Sequence, residues 1–195
     1  FFGIVPPGIV PDSTALPEEV AKVEVWATSS PNLHTALKER LKEDLKRTWP
    51  VVCLLDQKMK MITLADPAHP ELRMAFDRDR NGEYALGIDE EPGMQASQWL
   101  GAAGKDLYAV SLKNGEKRLL QRNALGSASL SPEAGHILWW SVPDSSWWVQ
   151  PIAGNAPVRL TNNTRVPFFD ETEDVPDLPS PHGIAGWLTG EKGIL

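Results

Sequence analysis

A chain of 195 residues with 42% hydrophobic and 23% charged residues has enough apolar sequence for a globular core. Its formal charge of −7 excludes a nucleic-acid partner held by clustered Lys and Arg. The single cysteine, Cys53, excludes an internal disulfide and a cysteine-rich metal site, and no apolar stretch reaches the ~20 residues of a membrane helix.

The first residues, to about position 20, are Pro-rich and read as an irregular lead-in without the basic segment of a signal peptide. Val23-Glu24-Val25-Trp26 reads as a strand. Ser30 and Pro31 suit the N-cap and first position of a helix that runs to about Lys46. Within it Leu33, Leu37, Leu41 and Leu45 recur every fourth residue, an apolar stripe among charges. The basic residues from Lys38 to Arg47 are interleaved with Glu39, Glu43 and Asp44, so they form no basic patch. The helix either packs against its own strands or offers a face to a partner.

Repeated patterns then set the fold. An alternating apolar strand, a polar turn and a second strand ending in Leu appear at 49–64, 106–120 and 147–161. In the second copy Asn114-Gly115 is a strong hairpin signal, because both residues tolerate positive φ. In the first, Cys53 lies in Val51-Val52-Cys53-Leu54-Leu55 and reads as a small buried hydrophobe. A different pattern precedes these hairpins: Leu130-Ser131-Pro132-Glu133-Ala134-Gly135-His136 leads into an apolar strand, and Asp77 to Ile88 follows the same plan through Asn81-Gly82. Leu188 to Leu195 opens it once more, and Gly193-Ile194-Leu195 reads as the start of a strand, so the chain reads as a segment of a longer one. The stretch from Pro167 to Pro181, with four prolines and the acids Asp170, Glu171, Glu173, Asp174 and Asp177, suits neither a helix nor a central strand.

Pairing the two patterns gives units of about 40–55 residues with four short strands, the content of a propeller blade. The expected fold is all-β: a partial β-propeller of four-stranded antiparallel blades with one inserted helix. The blades fall at about 21–66, 72–122 and 126–162, with the start of another at 183–195.

The Ser-Pro-x-x-Gly turn before an apolar strand resembles the blade signature of TolB-like propellers and of the propeller in prolyl oligopeptidase family serine peptidases. Val23-Glu24-Val25-Trp26, the helix ending Asp44-Leu45-Lys46-Arg47-Thr48, Val166-Pro167-Phe168-Phe169-Asp170-Glu171 and Pro181-His182-Gly183-Ile184-Ala185-Gly186-Trp187 together resemble a bacterial branch of that peptidase family, over about residues 20–195. The resemblance implies a non-catalytic segment that limits access of short peptides to an α/β-hydrolase domain of the same parent chain. It also implies a secreted or periplasmic setting. The alternative is a non-enzymatic TolB-like propeller that binds a protein or peptide partner.

No Gly-x-Ser-x-Gly elbow occurs; Gly126-Ser127-Ala128-Ser129 is the nearest string and falls in an expected strand. His34, His69, His136 and His182 are scattered, with no spacing that assembles a triad or a zinc site. The acids of 170–177 offer oxygens to calcium but lack the spaced glycine of a known loop. Glu90-Glu91 offers two carboxylates that could hold a peptide amino terminus, as in dipeptidyl peptidases of the wider family, or simply a solvated turn. Trp139-Trp140 and Trp147-Trp148 invite sugar or peptide stacking, but on strands one of each pair faces each side, which favours core packing. Asn162-Asn163-Thr164 is formally a glycosylation sequon. No catalytic residue, metal ligand or cofactor site is expected in the chain, and its open sheet faces are expected to promote self-association.

Overall fold

The computed structural model describes residues 2–4 (backbone), 14, 16, 26–30, 32–70, 72–79, 81–154, 156–162, 166–172 and 177–195. In chain order these contain β1 (Phe2–Ile4), α1 (His34–Asp44), β2 (Trp49–Leu54), β3 (Lys60–Thr63), β4 (Arg73–Ala75), β5 (Tyr84–Asp89) and α2 (Glu91–Leu100). They continue with β6 (Lys105–Ser111), β7 (Lys117–Ala124), β8 (Ala128–Leu130), β9 (His136–Ser141), β10 (Ser146–Pro151) and β11 (Val158–Arg159). The strands form three antiparallel sheets, β1-β2-β3, β4-β5-β6-β7 and β8-β9-β10-β11, none closed on itself. Among the described residues no helix is long and apolar enough to cross a membrane.

Turn chemistry makes the second and third sheets simple meanders. Between β6 and β7 the Asn114 side chain accepts from the Glu116 N–H at 3.0 Å, and Gly115 takes φ 77°. A Cβ at Gly115 would stand 2.8 Å from the carbonyl oxygen of Thr63, so this tip must be glycine to lie against the first sheet. Between β8 and β9 the Ser131 N–H donates to the His136 carbonyl, and the Ser131 hydroxyl accepts from the His136 N–H, both at 2.8 Å. Between β4 and β5 the Asp77 carboxylate accepts from the Asn81 N–H at 2.9 Å.

The period-two alternation of strands explains how the sheets stack. In the β5–β6 pair Ala85 faces Val110 across the ladder, and Leu86 faces Ala109. Ala85 and Val110 pack with Ile62 and Leu64 of the first sheet's region, whereas Leu86, Ala109 and Leu107 pack with Ile137 and Trp139 of the third. The second sheet is therefore buried on both faces. In the third sheet Trp148 pairs with Trp139 and Trp147 with Trp140. The first couple stacks toward the second sheet (centroids 6.2 Å apart, planes at 14°), and the second meets edge-on on the opposite face (5.4 Å, 65°).

Three expectations change. First, two helices are inserted, not one: α2 fills the turn expected after Glu90. Pro92 fits its first turn, and Gly101, at φ 71°, ends it by donating its N–H to the Ser97 carbonyl. Gly93 within α2 lets the helix sit on the chain at Gly104, where a Cβ would lie 2.0 Å from a carbonyl oxygen. Second, the leucine stripe of α1 is left open rather than covered. None of its residues is buried, and the leucine stripe is 39–71% exposed. Third, the first sheet has three strands among the described residues. Its outer strand is Phe2–Ile4, from the segment expected to be irregular, paired antiparallel with Phe2 opposite Val51. The strand expected at 23–26 lies outside the described residues except for Trp26.

Trp139 carries much of the contact between the second and third sheets. Trp139→Ala should lower stability by about 3–5 kcal/mol in urea unfolding. The 86% exposed Trp99, changed to Ala, should shift it by no more than about 0.5 kcal/mol. Equal effects would contradict the assignment of the core.

Candidate functional site

The outer face of the third sheet, formed by Leu138, Trp140 and Trp147, is covered by Phe169, Trp187 and Ile194. The proline-rich segment reaches it without regular structure. Phe169 and Pro181 form a single antiparallel bridge, and the Trp140 indole N–H donates to the Pro179 carbonyl at 2.8 Å. A short hairpin follows, in which Trp187 bridges Ile194, and the Leu188 and Leu195 N–H groups donate to the Gly193 and Gly186 carbonyls at 2.9 and 2.8 Å. The hairpin spans the residues 188–195 that the sequence offered as the opening of a further repeat, and its turn carries Glu191.

Glu191 is the most heavily engaged acid in this region. Its carboxylate enters the β8–β9 turn, where it accepts from the Glu133 N–H at 2.6 Å and from His136 Nδ1–H at 2.9 Å, and its side chain is 5% exposed. Gly135 makes room, since a Cβ there would stand 2.5 Å from Glu191 Oε2. Burial pushes the Glu191 pKa up, but hydrogen bonds from Ser131, His136 and Glu133 outweigh it and hold the group below its ordinary value.

Ser131, His136 and Glu191 thus share the composition of a catalytic triad but not its geometry. The carboxylate is correctly placed on Nδ1 of His136. However, the fully buried Ser131 hydroxyl accepts from the His136 backbone N–H, not from its ring. The arrangement is a clamp between two turns. Beside it lies a cleft of about 500 Å³ lined by His136, Trp147, Val149, Phe168, Trp187 and Ile194, in which the His136 and Trp187 rings stand 6.0 Å apart with planes at 29°. Its walls suit an apolar or aromatic group. Among the described residues that line it, Thr161 carries a hydroxyl, which accepts from the Trp147 N–H at 3.1 Å.

The remaining candidates fall into structural places. Glu90 is taken up by Arg73 and by Lys105 at 3.7 Å, while Glu91 opens α2, so the two carboxylates do not converge on one vacant point. Asp89, buried beside them, accepts from the Glu91 N–H at 3.1 Å and pairs with His69 at 2.9 Å, and His69 meets Tyr108 edge-on. Burial raises the Tyr108 pKa, helped by the charges of Asp106 and Asp89. His34 lies against Trp26 with centroids 4.9 Å apart, and His182 is exposed. Ser127 and Ser129 belong to the run into β8, an edge strand. Trp139, Trp140 and Trp147 are buried, and Cys53 is half-buried. Asp170 is exposed and bound by Thr172, whose side-chain and backbone hydrogen bonds lower its pKa. Among the described residues no three His, Cys, Asp or Glu side chains gather as a metal site. Glu173, Asp174, Asn163 and Thr164 lie outside the described residues.

A second cleft, of about 410 Å³, opens between the two inserted helices and is lined by Trp26, His34, Leu37, Gln95 and Trp99. Gln95 ties α2 to the chain before α1 through the Thr28 carbonyl at 2.9 Å. Sequence alone did not reveal Glu191 or this cleft. The first carries no local signal, and the second depends on a helix whose sequence reads as a turn. No protein-family model, curated protein or solved structure matches the chain.

Because the folded Glu191 pKa is depressed, the clamp contributes stability that is present above the ordinary glutamate value of 4.5 and is lost as pH falls through the folded value. Glu191→Ala should cost about 1–3 kcal/mol at neutral pH by leaving buried donors unmatched. In chemical unfolding measured from pH 7 down to pH 3, the difference between the variant and the parent should shrink on the acid side. A difference that stays constant would show that the carboxylate charge is not what holds the turn.

Proposed function

We propose that the chain is the non-catalytic propeller segment of a prolyl oligopeptidase-type serine peptidase. In this role it gates the access of short peptides to an α/β-hydrolase domain elsewhere in the same parent. The observation that carries the propeller half is the stacking. Two four-stranded meanders and a third sheet lie face to face in chain order, and the hairpin at 185–195 repeats the opening turn of the sheet before it. Successive blades of a propeller pack in this way. The peptidase half rests on the sequence resemblance alone. In such a parent, acyl transfer would occur at a serine outside this chain, and the propeller would act by excluding bulky substrates.

A second reading, a non-enzymatic propeller that binds a protein partner, is favoured by one observation. The α1 leucines and Trp99 form apolar surface that the sheets leave exposed.

The test uses the full product of the reading frame that encodes residues 1–195. It is assayed with short chromogenic peptides, with and without a serine-directed fluorophosphonate. The peptidase reading expects turnover of short peptides, little turnover of the same bond in a folded protein, and probe labelling outside residues 1–195. No turnover with no labelling would overturn it and leave the partner-binding reading, to be followed by capture of the partner.

A further inference from the structure

We propose that the turn between β4 and β5 is a calcium site. Asp77-Arg78-Asp79-Arg80-Asn81-Gly82 places side-chain oxygens at the first, third and fifth positions and glycine at the sixth. This is the order D-x-[DN]-x-[DN]-G with which calcium loops of the EF-hand type begin. The alternate spacing offers three side-chain oxygens within one short turn.

The independent observation is the state of Asp77, which is only 4% exposed. Its Oδ2 accepts from the Asn81 N–H at 2.9 Å. Its Oδ1 is buried without a hydrogen-bond partner. That oxygen lies 3.3 Å from the point where a Cβ on Gly82 would stand, a point that is itself 2.7 Å from Ala134 Cβ. A buried carboxylate oxygen with no donor calls for a cation or a proton.

The sister turn of the third sheet shows what closure alone requires. There Ser131 does the same work with one hydroxyl, accepting from the His136 N–H at 2.8 Å. The carboxylate of Asp77 brings a second oxygen that closure does not use. Asp79 and Asn81, both exposed, stand on either side of Arg80 and can supply further oxygens. The Glu83 carbonyl, at the seventh position, accepts from the Leu112 N–H at 2.9 Å and keeps a second lone pair. Calcium tolerates such a mixed, flexible oxygen set completed by water, whereas magnesium demands a rigid octahedron.

The site is a weak one. Ile88 stands at the twelfth position, where an EF-hand loop has its bidentate glutamate, and the two arginines reduce the negative charge of the turn. Its place in the fold gives it a structural effect. The Arg78 N–H donates to the Pro132 carbonyl at 3.3 Å, so an ordered turn here also orders the contact between the second and third sheets.

The full 195-residue chain, stripped of metal with EDTA and exchanged into chelator-free buffer, is titrated with calcium chloride by isothermal calorimetry and melted with and without calcium. One site with a dissociation constant of about 10⁻⁴ to 10⁻³ M and a raised melting temperature are expected, with a smaller response to magnesium. Asp77→Ser keeps the closure used by the sister turn and should abolish the calcium response. Asp79→Ala, at an exposed position, should leave the calcium-free melting temperature unchanged and weaken binding about tenfold or more. No heat and no melting shift up to ~10 mM calcium would overturn the proposal. Unchanged binding in either variant would also overturn it, by placing the ion elsewhere. If Asp77→Ser fails to fold, Asp79→Ala decides alone.

Discussion

Everything in this chain depends on sheets whose strands are apolar on both sides. A strand with one wet face can end a structure, but β5 and β6 carry Leu86 and Ala109 on one face and Ala85 and Val110 on the other. Such a sheet is stable only between two neighbours. The first sheet's region supplies Ile62 and Leu64 on one side, and the third sheet supplies Ile137 and Trp139 on the other. The same demand passes to the outer face of the third sheet, where the chain answers with an irregular, proline-rich cover and a short hairpin instead of another full sheet.

Polar groups fix the order of the stack where apolar contact alone would allow sliding. The Arg78 N–H joins the first turn of the second sheet to the corresponding turn of the third, through Pro132. Glu191 joins that turn to the next hairpin through Glu133 and His136. Lys117 on β7 reaches back to Asp66 after β3 at 2.6 Å, and this hydrogen bond lowers the Asp66 pKa. The Asp66 side chain is partly exposed and that of Lys117 mostly buried, so the pair ties β7 to the end of the first sheet at the edge of the core. Glycines stand where these elements approach closely: Gly115 against Thr63, and Gly135 beneath Glu191.

The hairpins were legible in the sequence because their signals are local. Asn114-Gly115 and Ser131-Pro132-Glu133-Ala134-Gly135 state the turn within a few residues, and the flanking alternation states the strands. The buried tryptophan pairs were legible for the same reason, since adjacent residues on a strand must face opposite ways. What was missed depends on distant partners. α2 contains Pro92 and Gly93, which weigh against a helix locally, and it holds because Gly93 allows close contact with Gly104. β1 pairs across more than forty residues with β2. The leucine stripe of α1 was readable, but its exposure was not, because periodicity reports amphipathy and not what covers the apolar side. The Glu191 clamp joins residues more than fifty positions apart, and the spacing of acids and histidines carries no trace of it.

A stack in which each sheet touches only the next behaves as a one-dimensional array, with stability divided between the units and the junctions that join them. The second sheet is packed on both faces by neighbouring sheets, and the third is packed by the second sheet on one face and by the 185–195 hairpin on the other. Amide protons of β5 and β6 belong to the last unit to exchange with solvent, whereas those of the 185–195 hairpin exchange as soon as the Glu191 junction lets go.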